Sequence, residues 1–244
     1  MKKIEQRFQT IKESEKVEDI NDFIIHLSKI INEGDLRFIN YFIEHLSEEK
    51  LKKININLIF LIGEFFHDGY SDSRLKNYLI KSYYKSDVWI RREIIKAILK
   101  LGKSKGITLF WQPILEAALR ESDKKIRKTA IETIFYLGKL PQGIFKSLLY
   151  SINKIKNIDS EIIKNIFSKF CPNLDNLFYL LDKNEKYKIL NQEGLRLLLM
   201  TYFDSVLKLE SFHKKIKNSN WTPEAKKRIL DEIDMMEKIL LSNI

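Results

Sequence analysis

Residues 86–102 read SDVWIRREIIKAILKLG, and residues 122–138 read SDKKIRKTAIETIFYLG. Set in register thirty-six residues apart, they pair Asp87 with Asp123, Ile90 with Ile126, Arg91 with Arg127, Ile94 with Ala130, Ile98 with Ile134, Leu101 with Leu137 and Gly102 with Gly138. A period of this length marks a repeated supersecondary unit rather than a coiled coil. One period back, the pattern continues as Ile54, Leu58, Ile62 and Phe65; one period forward, as Asp159, Ile162, Ile166 and Phe170. With the period shortened to about thirty-three, a fifth copy in QEGLRLLLMTYF places Leu195 and Arg196 where Ile126 and Arg127 stand.

Each copy is punctuated as a helix. Ser86-Asp87 and Ser122-Asp123 offer short side-chain oxygens to backbone N–H groups that a first helical turn leaves unpaired. Gly102 and Gly138 stand where a left-handed C-terminal cap costs least. Between them, Ile90, Ile94, Ile98 and Leu101 draw one apolar stripe at helical period, which needs a second surface to cover it. The intervening segments SRLKNYLIKSYYK, ITLFWQPILEAALRE and GIFKSLLYSINKIK are amphipathic too, with Leu79-Ile80, Ile114-Leu115 and Leu148-Leu149 in matching places. The unit is therefore a helical hairpin. Pro113 is expected to bend its helix or to mark a late start, and LDNLFYLLDK supplies a shortened outer helix for the fifth unit.

Two helices per repeat, D-x-x-hydrophobic-R entering the second and a closing Leu-Gly together resemble the HEAT-repeat family, which belongs with the armadillo-like helical folds. The likeness covers roughly residues 50–205. It implies an all-α, right-handed α-solenoid of stacked helical hairpins, in which Asp and Arg form a ladder of caps and ion pairs between neighbouring repeats. By position that ladder falls to Asp87, Arg91, Asp123 and Arg127. Asp159 keeps the acid where Ile163 replaces the base, Arg196 keeps the base where Gln192 replaces the acid, and Asn55 stands at the base position of the first unit.

The whole of 1–244 reads as a single solenoid domain, with repeats over 50–205 and capping helices over 1–49 and 206–244, because a stack must end in atypical, more polar helices. DINDFIIHLSKII and DLRFINYFIEHLS form the first cap. The second is NWTPEAKKRILDEIDMMEKILLSNI, with Thr222 as N-cap, Pro223 at the first helical position and Ile229, Ile233, Met236 and Leu240 as its stripe. The same amphipathic helix is the alternative candidate for holding a partner.

Composition narrows the class. The 244 residues are 44% hydrophobic with eight Gly and four Pro, a balance that can bury a large core and favours helix over sandwich or barrel. A lone Cys171 excludes an intramolecular disulfide and a cysteine-based zinc site. MKKIEQRFQT and the residues after it have no signal-peptide core, and no run is long and apolar enough to span a membrane. A cytoplasmic protein without membrane insertion is expected. The formal charge of +10 points to polyanions, although lysine is also the default surface residue of a chain this rich in Ile, Lys and Asn.

The search for chemistry returns structural explanations. LGKSKG contains Gly-Lys-Ser, but a phosphate loop needs a glycine five residues before Gly102, where Ala97 stands. His26, His45, His67 and His213 have no metal-ligand spacing. No Gly-x-Ser-x-Gly or His-Glu-x-x-His occurs, and Cys171 before Pro172 reads as a small buried hydrophobe. No catalytic residue, metal ligand or cofactor follows.

Recognition by a surface remains. Opposite the stripe, the second helices display Ile56, Phe60 and Glu64, then Arg92, Lys96, Lys100 and Lys103, then Lys128, Glu132, Tyr136 and Lys139, then Lys164 and Ser168. In HEAT-like proteins these helices line the concave wall. Phe60, Arg92, Lys96, Lys100, Lys128, Glu132, Tyr136 and Lys164 are accordingly the candidate partner-binding residues, in a band expected to be basic. The expected function is a non-enzymatic scaffold or adaptor holding another protein, one with an acidic surface. The second class is a nucleic-acid-binding HEAT-like protein, at its sharpest one resembling the alkylpurine DNA glycosylases. Asp87 and Trp89 near Arg91 and Arg92 evoke those enzymes, but their tryptophan-rich catalytic segment has no counterpart here.

Overall fold

The computed structural model describes residues 2–14, 16–154, 160–170, 173–187, 192–203 and 206–242. The chain forms two compact units, Met1–Gly138 and Lys139–Ile244. The first holds α1 (Lys2–Ser14), α2 (Val17–Leu27), α3 (Leu36–His45), α4 (Glu48–His67), α5 (Ser73–Lys85), α6 (Val88–Lys105), α7 (Gln112–Arg120) and α8 (Lys124–Ile134). The second holds α9 (Gln142–Lys154), α10 (Ser160–Phe170), α11 (Leu174–Tyr187), α12 (Gln192–Tyr202), α13 (Val206–Lys217) and α14 (Pro223–Ser242). Where the sequence reads as one domain, the division falls just after Gly138, the end of the last copy that carries both the acid and the base. Asp159 and Cys171 lie outside the described residues.

In the first unit, α1/α2, α3/α4, α5/α6 and α7/α8 pack as consecutive hairpins, and their second helices stack α2 on α4, α4 on α6 and α6 on α8. The thirty-six-residue register is visible in what is buried: Leu58, Ile94 and Ala130; Ile59, Ile95 and Ile131; Leu61, Ala97 and Thr133; Ile62, Ile98 and Ile134; Phe65, Leu101 and Leu137. Each second helix is covered by its own hairpin partner and by neighbouring second helices, so the apolar arc is wider than one stripe. Thr133 fits there because its hydroxyl donates to the Thr129 carbonyl at 2.7 Å. The stacking begins before residue 50: Ile20, Phe23, Ile24 and Leu27 of α2 are buried in the same order as Leu58, Leu61, Ile62 and Phe65, at a spacing of thirty-eight.

Helix starts follow the sequence with one sharpening. Asp87 accepts from the Ile90 N–H at 3.0 Å and Asp123 from the Ile126 N–H at 2.9 Å, so the aspartates are the caps. Ser86 instead closes α5. Pro113 marks a late start: α7 begins at Gln112 after a short 3-10 turn over Leu109–Trp111. In the second unit, α14 opens at Pro223 with the Thr222 hydroxyl accepting from the Ala225 N–H at 3.3 Å, and it buries Ile229, Ile233 and Met236 against its unit.

Helix ends differ from expectation. Gly102 is helical and buried inside α6, which continues to Lys105; the positive-φ residue that closes it is Gly106, with φ 79°. Gly69 does the same after α4, also at φ 79°. What Gly102 supplies is a close approach. A Cβ there would lie 3.1 Å from both Ile107 Cγ1 and Tyr136 Cβ. Just beyond, the Ile107 N–H donates to the Tyr136 carbonyl at 2.9 Å, pairing Ile107 with Leu137 in an isolated β-bridge. Gly138 has open space around its Cβ position and no positive φ.

The two glycines that the repeat aligns should therefore respond oppositely. Gly102→Leu is expected to lower the unfolding free energy by about 1–3 kcal/mol through overpacking, whereas Gly138→Ala leaves it unchanged or raises it by about 0.5 kcal/mol. Urea unfolding followed by far-UV circular dichroism measures both; equal effects would remove the close-approach explanation.

Candidate interaction surface

The Asp and Arg of the repeat act as helix caps and as ion-pair partners, with partners that the sequence pattern does not name. Arg91 Nη1 donates to the Ser86 carbonyl at 2.6 Å, and Arg127 Nη1 donates to the Glu121 carbonyl. Ser86 and Glu121 are the residues at which α5 and α7 end. Each arginine thus fastens a second helix to the C-terminal end of its own hairpin partner, where free carbonyls favour a cation. A rung between repeats is carried by the next residue. Arg92 Nε donates to Asp123 Oδ1 at 3.1 Å and its Nη2 to Oδ2, a two-pronged pair between α6 and the cap of α8. The Arg92 guanidinium beside Asp123 holds that carboxyl down, at about 2 against an ordinary 3.8, with N–H groups of α8 adding to the effect.

Glu121 joins this cluster without any signal in the repeat, since Lys85 occupies its place one period earlier. It lies 2.8 Å from Arg91 Nε, and it accepts from the Tyr83 hydroxyl at 3.2 Å. Burial, reinforced by the Glu121 charge, pushes the Tyr83 hydroxyl up.

Three cations of the expected basic band are already paired within the chain. Besides Arg92, Lys96 pairs with Glu93 at 2.6 Å and Lys100 with Glu64. Glu132 is half-buried on α8. Tyr136 lies past the end of α8, in the turn that meets Ile107, so it belongs to no helical row. Lys164 stands on α10, and its side chain lies outside those described.

What the structure places side by side on one face is a grid of three turns by three helices. From α4, α6 and α8 in turn it reads Lys53, Trp89 and Lys125; Ile56, Arg92 and Lys128; Phe60, Lys96 and Glu132. Three of its members are large apolar side chains left open to solvent: Trp89 at 68% exposure, Phe60 at 48% and Ile56 at 45%. Two are held from beneath by cations, the Arg92 guanidinium 4.9 Å from the Trp89 ring centre and Lys100 Nζ 5.0 Å from that of Phe60. At the thirty-six-residue period Trp89 aligns with Lys53 and Lys125, and only the exposure of that position shows it as surface.

The second unit holds a buried, bonded carboxylate. Glu232 on α14 is 1% exposed at its side chain; Gln192 donates to it at 2.7 Å and Arg196 at 2.9 Å and 3.3 Å. Burial pushes this carboxyl up, and the bonds from Arg196 and Gln192 outweigh burial to leave it lowered. The two residues that the fifth copy places at the acid and base positions therefore anchor the last helix. Trp221 stacks on Phe178 with ring centres 4.8 Å apart, and its indole N–H donates to Asp182 at 2.9 Å. Among the described residues no cluster of three or more metal-ligating side chains occurs, and no helix is long and apolar enough to cross a membrane.

These observations define an all-α helical-repeat solenoid. The chain resembles the crystal structure of an engineered protein, with a TM-score of 0.50 at 13% identity over 96% of this chain and 98% of that one. It also aligns with a designed armadillo repeat protein, at a TM-score of 0.49 and 15% identity, covering 94% and 98%. At such identities the likeness concerns the fold alone. No protein-family model and no curated protein matches the sequence.

The Arg92–Asp123 rung has a pH signature. Asp123 has its carboxyl depressed by folding, so its contribution is complete above about pH 4 and is lost as pH falls toward 2. Asp123→Asn keeps the cap but not the charge and should flatten the fall in stability across that window. Asp123→Ala is expected to cost about 1–2 kcal/mol even at neutral pH. Urea midpoints at pH 7, 4 and 2.5 check both, and identical acid profiles for wild type and Asp123→Asn would contradict the assignment.

Proposed function

We propose that this chain is a non-enzymatic, cytoplasmic protein-interaction module of HEAT-like type, an adaptor or scaffold that holds another protein on the α4–α6–α8 face. The observation that carries this is the exposed trio Ile56, Phe60 and Trp89, set among charges that are mostly paired within the chain. Protein interfaces concentrate their energy in a few aromatic and arginine anchors ringed by satisfied polar groups. Nucleic acid calls for the reverse, many unpaired cations free to displace counterions from phosphates. The capped Asp, the stapling Arg and the Arg92–Asp123 rung support the HEAT-like assignment through their positions.

Affinity purification of the full chain from a lysate of its own cells tests this. A stoichiometric protein partner should be retained by wild type and by Tyr84→Ala, an exposed aromatic on the first helix α5, and lost from Trp89→Ala and Phe60→Ala. Retention by all three variants, or loss of the captured material on nuclease treatment, would count against it.

A further inference from the structure

The cationic corner of the grid specifies the partner's chemistry, on the premise that this face binds a protein. Residues 51–138 carry 17 Lys and Arg against 9 Asp and Glu, while residues 1–50 carry 8 against 11, so within the first unit the excess charge is local to the later repeats. Within it, Lys124, Lys125 and Lys128 occupy the first turns of α8 and are all exposed. None of the three forms an ion pair with a described residue. Their placement is locally unfavourable, because cations at a helix N-terminus face the positive end of its dipole and gain nothing from it. Asp123 offsets part of that, but its carboxylate is already taken up by the cap and by Arg92. Violations of local helix rules with no compensation inside the chain belong to surfaces shaped by a partner.

We infer that the α4–α6–α8 face takes a short acidic protein segment that seats apolar side chains on Ile56, Phe60 and Trp89 and carboxylates on Lys125 and Lys128. Helices stacked about 10 Å apart put the anchors on α4 about 20 Å from the lysines on α8. The segment therefore presents an aliphatic or aromatic residue and a pair of acidic residues at that separation, about six residues when extended. Arg92, held between Trp89 and Asp123, is a positioning residue: it fixes the indole at the seam of the apolar and cationic halves and has little charge left to offer. An uncharged apolar segment leaves the three lysines unanswered, and a phosphate backbone meets, beyond those three, Glu132 and the already neutralised Arg92, Lys96 and Lys100.

The probe is a displayed library of random peptides about 16 residues long, enough to span 20 Å in either an extended or a helical form, selected on the immobilised full chain. Enriched peptides should carry Asp or Glu together with Trp, Phe, Leu or Ile. Their affinity should fall about tenfold or more in Lys125→Glu/Lys128→Glu and rise as salt is lowered. The exposed pair Lys214→Glu/Lys217→Glu on α13 carries the same charge change elsewhere and should have little effect. Peptides that depend on Trp89 but are neutral or basic, or that ignore the Lys125/Lys128 reversal, overturn the acidic specificity and leave the protein-binding face standing. Peptides indifferent to both Trp89→Ala and the reversal, no enrichment, equal loss in the α13 control, or displacement by a short oligothymidylate overturn this inference; the first two also remove the face itself.

Discussion

A helix with one apolar arc has no stability of its own until another helix covers it, and in residues 1–138 the cover is the corresponding helix of the next repeat. Everything else in that unit is arranged around this dependence. Leu58, Ile94 and Ala130, and the rows beside them, bury the same positions in succession because each second helix is at once cover and covered. At about 1.5–3 kcal/mol for each large buried side chain, these rows outweigh any of the ion pairs, which contribute about 1 kcal/mol or less where solvent reaches them. The closest crossing shows how tight the stack is: a Cβ on Gly63 of α4 would stand 3.3 Å from the Cβ of Ala97 on α6. Small residues meet there because larger ones would push the helices apart.

Once the stack is set by apolar burial, polar groups decide register and direction. Asp123 starts α8 and receives Arg92 from α6, so a single carboxylate fixes both where a helix begins and which turn of its neighbour faces it. Arg91 and Arg127 each close the end of a first helix within their hairpins, and Arg91 also reaches Glu121 at the end of α7 in the next hairpin. The division of labour between adjacent arginines follows from helical geometry, since successive side chains point about 100° apart and cannot reach the same partner.

The architecture was legible because the repeat writes it several times: the caps at Asp87 and Asp123, the late start at Pro113, the Thr222–Pro223 opening of the last helix and the apolar rows are all local or periodic signals. The helix ends were less so. Gly102 and Gly138 align in sequence, yet one is pressed against Ile107 and Tyr136 and the other faces open space, a difference made by the loop after α6 that no single repeat contains. The surface was harder still. Sequence gives the sign of Arg92, Lys96 and Lys100 but not that Asp123, Glu93 and Glu64 already hold them, because two of those partners lie on another helix. Trp89 is conspicuous in the sequence, but nothing local shows that its place in the repeat, aligned with Lys53 and Lys125, keeps it exposed. The start of the stack at α2 was hidden by a spacing of thirty-eight, two residues off the period.

The Ile107–Tyr136 hydrogen bond also bears on how the first unit carries mechanical load. The chain leaves that unit within two residues of Tyr136, and the loop after α6 holds it there through the main-chain bond of Ile107 and the buried Ile107 and Leu137 side chains. Tension arriving from residue 139 onward meets this clasp before it reaches the last turn of α8. The clasp passes the force sideways into α6, which is packed between α4 and α8. Drawing α8 away from α6 therefore also means breaking the clasp that holds its end to the loop of the preceding repeat.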